Sequence, residues 1–324
     1  MSKLDYLGKR LLKSVFIIVA LVVLNFFLIR LAPGDPASVI AGQAGIGDPE
    51  FVQQLRERFR LDEPLHEQLY VYLAGVAQLD FGYSYTFRVP VWDLIVDRLP
   101  ATLLLTGTAF AISLLVGILL GTIAAAHIGR WPDTLVSGAA LIMYATPLFW
   151  LGLMSILVFS VYLNLLPPFG MSTVGAGYTG WRHAIDVAHH LVLPALTLST
   201  FMMAIYMRLT RSSILEIGDL DFVKTARAKG LGQRQIMLMH ILRNAILPVV
   251  TFAGMQAGQL IGGAVITETV FAWPGLGRLT YDALLQRDYN LLLAILFMSS
   301  VMVVLFNLIT DLIYTVVDPR IELS

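Results

Sequence analysis

The chain has 324 residues, of which 57% are hydrophobic and 14% charged, and its mean hydropathy is +0.75. Soluble domains have about 45–50% apolar and about 25% charged residues, so this composition predicts an integral membrane protein. The 22 basic and 22 acidic residues cancel, which excludes a strong overall field toward nucleic acid. Without any cysteine, the chain offers no disulfide, thiolate nucleophile or cysteine-based metal site.

Six apolar segments are predicted to span a membrane, because a spanning helix needs about 20 mostly apolar residues. They are Leu11–Leu31, Thr102–Ala126, Thr134–Val161, Leu191–Met207, Asn244–Thr267 and Tyr289–Thr310. We place the first span itself at 14–31, after a short N-terminus 1–13. A cleaved signal peptide is the alternative there, but no small-x-small cleavage site follows the segment. The fourth segment is the weakest, since Pro194 lies inside it, and we extend it to 190–208.

Basic residues in short loops predict the orientation of the chain. Four lie in 1–13, and seven lie between the fourth and fifth segments. Those seven are Arg208, Arg211, Lys224, Arg227, Lys229, Arg234 and Arg243. Both regions fall on one side of a six-span chain, so both termini, including the tail 318–324, are expected in the cytoplasm. The long loop 32–101 then lies outside.

The outer loop 32–101 carries two helix-start signals. Asp48 followed by Pro49 has the pattern of an N-cap and a first helical residue, and Pro64 repeats the signal. The aromatic run LDFGYSYTF at 79–87 favours packing at the membrane interface over contact with a ligand. The loop is therefore predicted to be a small helical insertion.

The segment 215–243 is basic and amphipathic, and it separates two uncharged apolar segments. Asp219 or Asp221 is expected to cap a short helix over 222–229. Gly230 is expected to end that helix in a left-handed conformation, which glycine adopts without a steric penalty.

The predicted short helix combines small side chains with cations. Ala226 and Ala228 stand among Thr225, Arg227 and Lys229. Small side chains let a helix seat deeply in a groove, and cations can pair with an acidic rim. An ordinary basic loop held at lipid headgroups is the alternative interpretation.

Two parts of this segment, TARAKGL at 225–231 and LRNAILP at 242–248, resemble the coupling loop of ABC importer membrane subunits. The generic loop has Glu-Ala-Ala, where this chain has Lys224-Thr225-Ala226, and its distance from glycine to proline is shorter. Both departures are those of the dipeptide, oligopeptide and nickel permease family. Further matches are LDEPL at 61–65, LDFGYSY at 79–85, PVWDLIVDRLPATL at 90–103, HLVLPALTL at 190–198, FAWPGLGRL at 271–279, RDY at 287–289 and DLIYTVVDPR at 311–320.

The resemblance implies an all-α polytopic membrane protein with six spans and both termini inside. Its core over 102–317 would be a type I importer transmembrane domain, and 32–101 an extracytoplasmic helical insertion. The implied partners are a homologous second permease, two ATP-binding-cassette ATPase subunits, an extracytoplasmic substrate-binding protein and the lipid bilayer, with no nucleic acid. The residues implied to dock on the ATPase are Thr225, Ala226, Arg227, Ala228, Lys229 and Gly230.

Glycine ladders and a few polar residues mark the spans. Small residues at four-residue spacing let helices approach closely in lipid, either as fixed packing or as a sliding interface. The glycines are Gly117, Gly121, Gly254, Gly258 and Gly262. Gln256 and Gln259 are candidates to line an aqueous path, together with Glu268, for which solvation at the membrane interface is the alternative.

Three histidines, His183, His189 and His190, precede the fourth segment and invite a nickel-site interpretation. His189 and His190 are adjacent rather than one helical turn apart. We therefore favour structural histidines and expect no bound metal.

The predicted function is peptide import across the bacterial cytoplasmic membrane, with a nickel complex, glutathione or an opine as alternative substrates. No GxxxxGK[ST] phosphate loop is present, so the chain is expected to bind no cofactor, with ATP and Mg on the partner subunits. A membrane enzyme is disfavoured, because neither a nucleophile elbow nor an HExxH helix occurs. An ion channel is disfavoured because no pore-lining ring is apparent.

Overall fold

The computed structural model describes residues 3–31, 36–43, 48–58, 60–84, 86–257 and 260–317, which are mostly helical. The helices are α1 Lys3–Leu31, α2 Pro36–Gln43, α3 Pro49–Arg58, α4 Leu65–Ala77, α5 Val91–Ala126, α6 Trp131–Ala145, α7 Leu148–Ser155, α8 Gly180–Gly218, α9 Asp221–Ala228, α10 Gln233–Gln235, α11 Arg243–Ala257, α12 Leu260–Val270, α13 Leu276–Leu285 and α14 Tyr289–Val317. Two π-helical segments, Ile156–Tyr162 and Ile236–Leu242, continue α7 and α10. The strands β1 Tyr83–Ser84 and β2 Val89–Pro90 form an antiparallel hairpin with Tyr83 opposite Pro90.

Several helices are long and apolar enough to cross a membrane. Within the described ranges four qualify: Val91–Ala126, Gly180–Gly218, Gln233–Gln256 and Tyr289–Leu308. The bent pair Trp131–Ala145 and Leu148–Tyr162 makes a fifth if it is counted as one span, and Leu12–Leu28 of α1 is a shorter apolar stretch. The prediction of a mostly helical protein with several candidate membrane spans is therefore confirmed, whereas the number of six spans stays a prediction.

The third predicted segment, 134–161, is not one helix. The α6 helix and the helix from Leu148 to Tyr162 meet at 106°. Pro147 lies at the break, has no N–H to continue the helical ladder, and disfavours helical geometry at the residue before it. Thr146 is accordingly extended, with φ −81° and ψ 129°. The third predicted segment is therefore broken at Pro147 rather than one continuous helix, and whether its two arms form one span stays a prediction.

The fourth predicted segment, 190–208, is only the middle of α8, which has 39 residues. At 1.5 Å per residue α8 is about 58 Å long, roughly twice the thickness of the hydrocarbon core. Its polar ends are stabilised by contacts outside the apolar stretch, such as the Asp186 carboxylate accepting from the Thr173 backbone N–H at 2.7 Å. Hydropathy marks only the apolar part of such a helix, so the predicted segment covers the middle of α8 and not its polar ends.

The chain divides into two compact units. The first contains the chain up to Thr102 together with Pro274–Val304. Its core includes Val91, Ile95, Leu291 and Ile295, none more than 1% exposed. The second contains Leu103–Trp273 and the described residues from Leu305 onward.

In the first unit, the aromatic run at 79–87 packs inward. The Phe81 ring lies 6.0 Å from that of Trp92 and 5.3 Å from that of Phe297, and Phe81 is buried. The expectation that this run packs at the membrane interface is therefore wrong for Phe81, because the β1–β2 hairpin directs it into the core of the unit. Tyr83, in contrast, is 40% exposed.

The predicted helix starts of the insertion are confirmed. The Asp48 carboxylate accepts the Glu50 backbone N–H at 3.0 Å, and α3 begins at Pro49. Pro64 directly precedes α4. Local capping signals were sufficient to predict these starts because each depends on residues within one turn.

Buried hydrogen bonds join distant motifs within the first unit. The Ser84 hydroxyl donates to the Asp288 carboxylate at 2.5 Å, and the other Asp288 oxygen accepts the Leu291 N–H at 3.2 Å, at the first turn of α14. The Leu276 N–H donates to the Thr102 hydroxyl at 2.7 Å. Burial raises the pKa of the Asp288 carboxyl, although the hydrogen bond from Ser84 partly opposes that rise.

In the second unit, α6, α7, α11 and α12 all pack on α8. The α5 helix also approaches α8 closely at Gly117 and Gly121. A Cβ at Gly117 would lie 2.8 Å from the Tyr206 Cβ, and a Cβ at Gly121 would lie 2.5 Å from the Met207 carbonyl oxygen. These distances support the predicted packing role of the two glycines, because no larger residue fits either position without a shift of its neighbours.

Candidate docking loop and translocation helices

The candidate docking loop is the helix–turn–helix that follows α8. After Gly218, two residues lead into α9, which spans Asp221–Ala228 rather than the predicted 222–229. Its N-cap is Leu220, in an extended conformation and without a side-chain cap. The predicted capping by Asp219 or Asp221 was therefore wrong, because Asp221 lies inside the first turn and its carboxylate accepts from the Lys224 ammonium at 2.9 Å.

The predicted end of α9 is confirmed. Gly230 has φ +78°, which is the left-handed region. The Leu231 N–H donates to the Ala226 carbonyl at 3.4 Å, and the Gly230 N–H donates to the Arg227 carbonyl at 3.0 Å. These two bonds form a Schellman motif, which satisfies carbonyls at the helix end and reverses the chain toward α10.

The α9 helix has one buried and one exposed face. Val223 is 0% exposed and Ala226 is 5% exposed, since residues three apart share a helical face. Both pack in a cluster with Ile214 of α8 and with Ile236 and Ile241 of the π-helical segment. Ala226 thus packs the loop onto the rest of its own chain, and its small side chain fits this internal cluster.

The outward face of α9 carries the remaining predicted docking residues. Thr225, Arg227, Ala228, Lys229 and Gly230 are all exposed. Phe222, which was not among the predicted residues, is also exposed, at 44%.

Next to this loop, α8 is tied to α6 by an ion pair. The Arg211 guanidinium donates two hydrogen bonds to the Asp133 carboxylate, at 2.7 and 2.8 Å. Asp133 also accepts from the Gly129 N–H at 3.1 Å and from the Ser137 hydroxyl at 3.2 Å. The Asp133 side chain is only 9% exposed. Arg211 was predicted to be a loop charge without a partner, because Asp133 lies 78 residues earlier in the chain.

The remaining predicted path and packing residues differ in burial, and some of them lie outside the described residues. Gln256 is half-buried near the end of α11, whereas Gln259 and Gly258 lie outside the described residues. Gly254 lies in α11 and Gly262 in α12, and their packing role stays a prediction. Glu268 is 0% exposed. The alternative interpretation, in which its side chain is solvated at the membrane interface, is therefore wrong. The path role of Gln256 and Glu268 also stays a prediction.

The histidines before the apolar part of α8 have separate partners. A ring nitrogen of His189 lies 3.0 Å from the Leu165 carbonyl oxygen. Nδ1 of His190 lies 2.8 Å from the Asp186 carbonyl oxygen. These contacts support the structural interpretation, and the described residues contain no His, Asp and Glu group that could hold a metal ion.

A cavity of about 350 Å³ lies where the bend between α6 and α7 faces α8. Beside it, the Tyr144 ring stacks on that of Phe201, with centroids 5.0 Å apart and planes 16° apart. The Arg208 guanidinium carbon lies 4.6 Å from the centroid of the same Tyr144 ring. These residues were not singled out as site residues from the sequence, because the bend that joins them was not predicted.

Comparison with known proteins gives a consistent result over almost the whole chain. The family model for the binding-protein-dependent transport system inner membrane component matches residues 117–323, and the model for the N-terminal part of such a component matches 3–106. The dipeptide transport system permease protein DppB of Escherichia coli K12 is 40% identical over 338 residues, covering 98% of this chain and 99% of the relative. The glutathione transport system permease protein GsiC of the same strain is 40% identical over 319 residues, with the same coverage.

A solved structure shares the fold. Inward-facing conformations of the MetNI methionine ABC transporter include a chain that superposes with a TM-score of 0.56 at 19% identity. The similarity covers 69% of this chain and 96% of that one. It shows the same helical arrangement, and at this identity it carries no information on substrate.

Proposed function

Since this chain belongs to the family of binding-protein-dependent transport system inner membrane components, we propose that it imports short peptides across the bacterial cytoplasmic membrane. It is a multi-pass permease subunit of an ABC importer and not an enzyme, because ATP hydrolysis in this family belongs to partner subunits. The family works with ATPases, a second permease and a substrate-binding protein. We propose that this chain pairs with a homologous permease to form the translocation pore.

The observation that carries the substrate proposal is 40% identity to a dipeptide permease across 98% of the chain. Glutathione, itself a tripeptide, is the second candidate, because a glutathione permease matches at the same identity and coverage. Both candidates are short peptides with a free terminal carboxylate.

Deletion of the gene tests the substrate. The deletion strain should lose growth on a dipeptide that is the sole source of a required amino acid, and plasmid expression should restore it. Growth with glutathione as the sole sulfur source separates the two candidates. Intact use of both peptides, with nickel-dependent enzyme activity lost in low-nickel medium, would contradict peptide import and favour the nickel alternative.

We further propose six spans with both termini in the cytoplasm. Basic residues at 1–13 and in the α8–α11 connection support this orientation. Because the chain has no cysteine, single cysteines can report on sidedness, and Gln78 and Gln233 are both exposed. An impermeant thiol reagent should label Gln78→Cys in intact cells and Gln233→Cys only after permeabilisation. Labelling of Gln233→Cys in sealed cells would contradict the orientation.

The docking partner of α9 is proposed to be the ATPase subunit. The support is the two-faced helix: an inner face holds α9 to its own unit, and an outer face with Phe222, Arg227 and Lys229 is left exposed. A buried inner face gives a docking helix a fixed orientation. A displacement of α9 by its partner is therefore transmitted to α8 through these buried contacts.

Two tryptophan substitutions separate docking from internal packing. Ala228→Trp places a large side chain on the exposed face and should reduce co-purification of the ATPase, while the amount of inserted subunit stays at the wild-type level. Ala226→Trp overfills the buried cluster and should lower the amount of folded subunit itself. Normal ATPase retention and uptake with Ala228→Trp would mean that α9 is only a tether.

A further inference from the structure

The cavity at the bend between α6 and α7 has the size and lining of a small-molecule site. Its volume, about 350 Å³, falls within the range of about 300–1,000 Å³ that is usual for ligand pockets. The lining includes Tyr144, Thr146, Pro147, Thr200 and Phe201. Pro147 creates the bend, so the cavity is a direct consequence of the one interruption in the third apolar segment.

The cavity offers hydrogen-bond acceptors in an otherwise apolar wall. The Thr146 hydroxyl donates to the Ile142 carbonyl, and the Thr200 hydroxyl donates to the Thr197 carbonyl, both at 2.7 Å. Each hydroxyl has one donor and two acceptor lone pairs, so an oxygen whose donor is used can still accept from a peptide N–H. A threonine pair of this kind suits a peptide backbone better than it suits an acyl chain.

Tyr144 and Phe201 form an aromatic pair in the cavity lining, and Arg208 contacts the Tyr144 ring without lining the cavity itself. Phe201 and Arg208 are seven residues apart, two turns of α8, and both contact the Tyr144 ring. Among the described residues Arg208 forms no ion pair, whereas Arg211 on the same helix is held by Asp133. Arg208 is exposed at the end of the predicted fourth span, so its guanidinium is available to a ligand beside the Tyr144 ring.

We propose that this cavity is a transit site for the peptide, in which Arg208 receives the terminal carboxylate while the Tyr144–Phe201 pair contacts the peptide side chain. The proposal rests on peptide import as the function. Arginine suits the carboxylate because its planar fork matches the two oxygens. The cation–π contact with Tyr144 positions the guanidinium beside the cavity lining.

The test uses the complete transporter in proteoliposomes, with both permeases, the ATPases and peptide-loaded binding protein. Arg208→Gln should lower peptide accumulation about tenfold, because it removes a charge-assisted hydrogen bond. ATP hydrolysis stimulated by loaded binding protein should stay within about twofold of wild type, since docking is unchanged. Arg208→Lys should recover part of the transport. Arg182→Gln is the matched control: Arg182 is exposed on α8 far from the cavity, and transport should be unchanged.

A cysteine inside the cavity gives a direct binding readout. Thr200→Cys should react with a small thiol reagent more slowly during turnover with peptide than without it. The protection should disappear when Arg208→Gln is added. Leu196→Cys on the same helix, exposed but not lining the cavity, should react equally in both conditions.

The outcomes distinguish this proposal from the function on which it rests. No peptide accumulation by the wild-type complex would contradict peptide import itself. Transport by the wild type with unchanged transport in Arg208→Gln, or without protection of Thr200→Cys, would overturn the transit site alone. An equal fall in transport and in stimulated ATP hydrolysis would also overturn it, because Arg208 would then support the assembly rather than contact the peptide.

Discussion

The first unit and the docking loop use their family-matching residues in opposite ways. In the first unit, Ser84 of LDFGYSY and Asp288 of RDY meet in a buried hydrogen bond. In the loop, the TARAKG residues bury only Ala226 and leave Arg227 and Lys229 exposed. One set of motifs therefore holds its own chain together, and the other presents a surface.

This difference shows how to separate structural from interface residues within one motif set. A buried polar group without its partner loses a hydrogen bond that water cannot replace, so substitution there should affect folding first. An exposed charge is already solvated, so substitution there should leave folding intact and affect only the partner. Stability and transport should therefore respond separately in the two regions.

The largest expected effect is at the partly buried ion pair between Asp133 of α6 and Arg211 of α8. Asp133→Ala leaves the Arg211 guanidinium without its carboxylate, and the thermal midpoint of the purified subunit should fall by about 5 °C or more. The double substitution Asp133→Arg with Arg211→Asp should recover part of the loss. The exposed pair of Asp221 and Lys224 is the control, because Asp221→Ala should change the midpoint by about 1 °C or less. An equal fall of the thermal midpoint for Asp133→Ala and Asp221→Ala would contradict the distinction between structural and exposed ion pairs.

An intermediate effect is expected at the end of α9. Gly230→Val forces a β-branched residue into φ +78°, a strain of about 1–2 kcal/mol that should displace the docking face. Peptide uptake should fall about tenfold with a normal amount of inserted subunit. Gly232→Val is the matched control, because Gly232 has φ −62° and open space around a Cβ, and uptake should be nearly normal. Equal uptake by both variants would show that the turn geometry does not matter.

The smallest expected effect is a pH dependence in the first unit. Burial raises the folded-state pKa of Asp288 above its ordinary value of 3.8, so the folded chain binds this proton more tightly than the unfolded chain. Stability should therefore fall as the pH rises from 3.8 through the folded pKa.

Thermal midpoints across pH check this sign. Asp288→Asn should remove that part of the slope, and Ser84→Ala should steepen it, because the hydrogen bond from Ser84 lowers the Asp288 pKa. An Asp288→Asn slope as steep as that of the wild type would assign the pH dependence to another group.

Local sequence signals predicted the parts of the fold that depend on neighbouring residues. The Asp48 cap, the glycine end of α9 and the start of α14 at Tyr289 each depend on interactions within a turn or two. A close helix approach at Gly117 and Gly121 was predicted as well, because the spacing of small residues is itself a local pattern, but α8 was not predicted as the partner.

The errors have a common physical origin. Pairing of Asp133 with Arg211 depends on two helices meeting 78 residues apart, and no local pattern encodes that meeting. Similarly, the amphipathic pattern of α9 defines two faces but not which one turns toward α8, so Ala226 was assigned outward.

By itself, the sequence determined a helical membrane protein, its apolar segments and the turn at Gly230, because composition, hydropathy and backbone preference are properties of short stretches. Only the tertiary structure decided which face of α9 is buried, which arginine of α8 is paired, and that Tyr144, Phe201 and Arg208 meet beside one cavity. Those outcomes depend on how helices distant in sequence pack, and packing selects among faces that the sequence leaves equivalent.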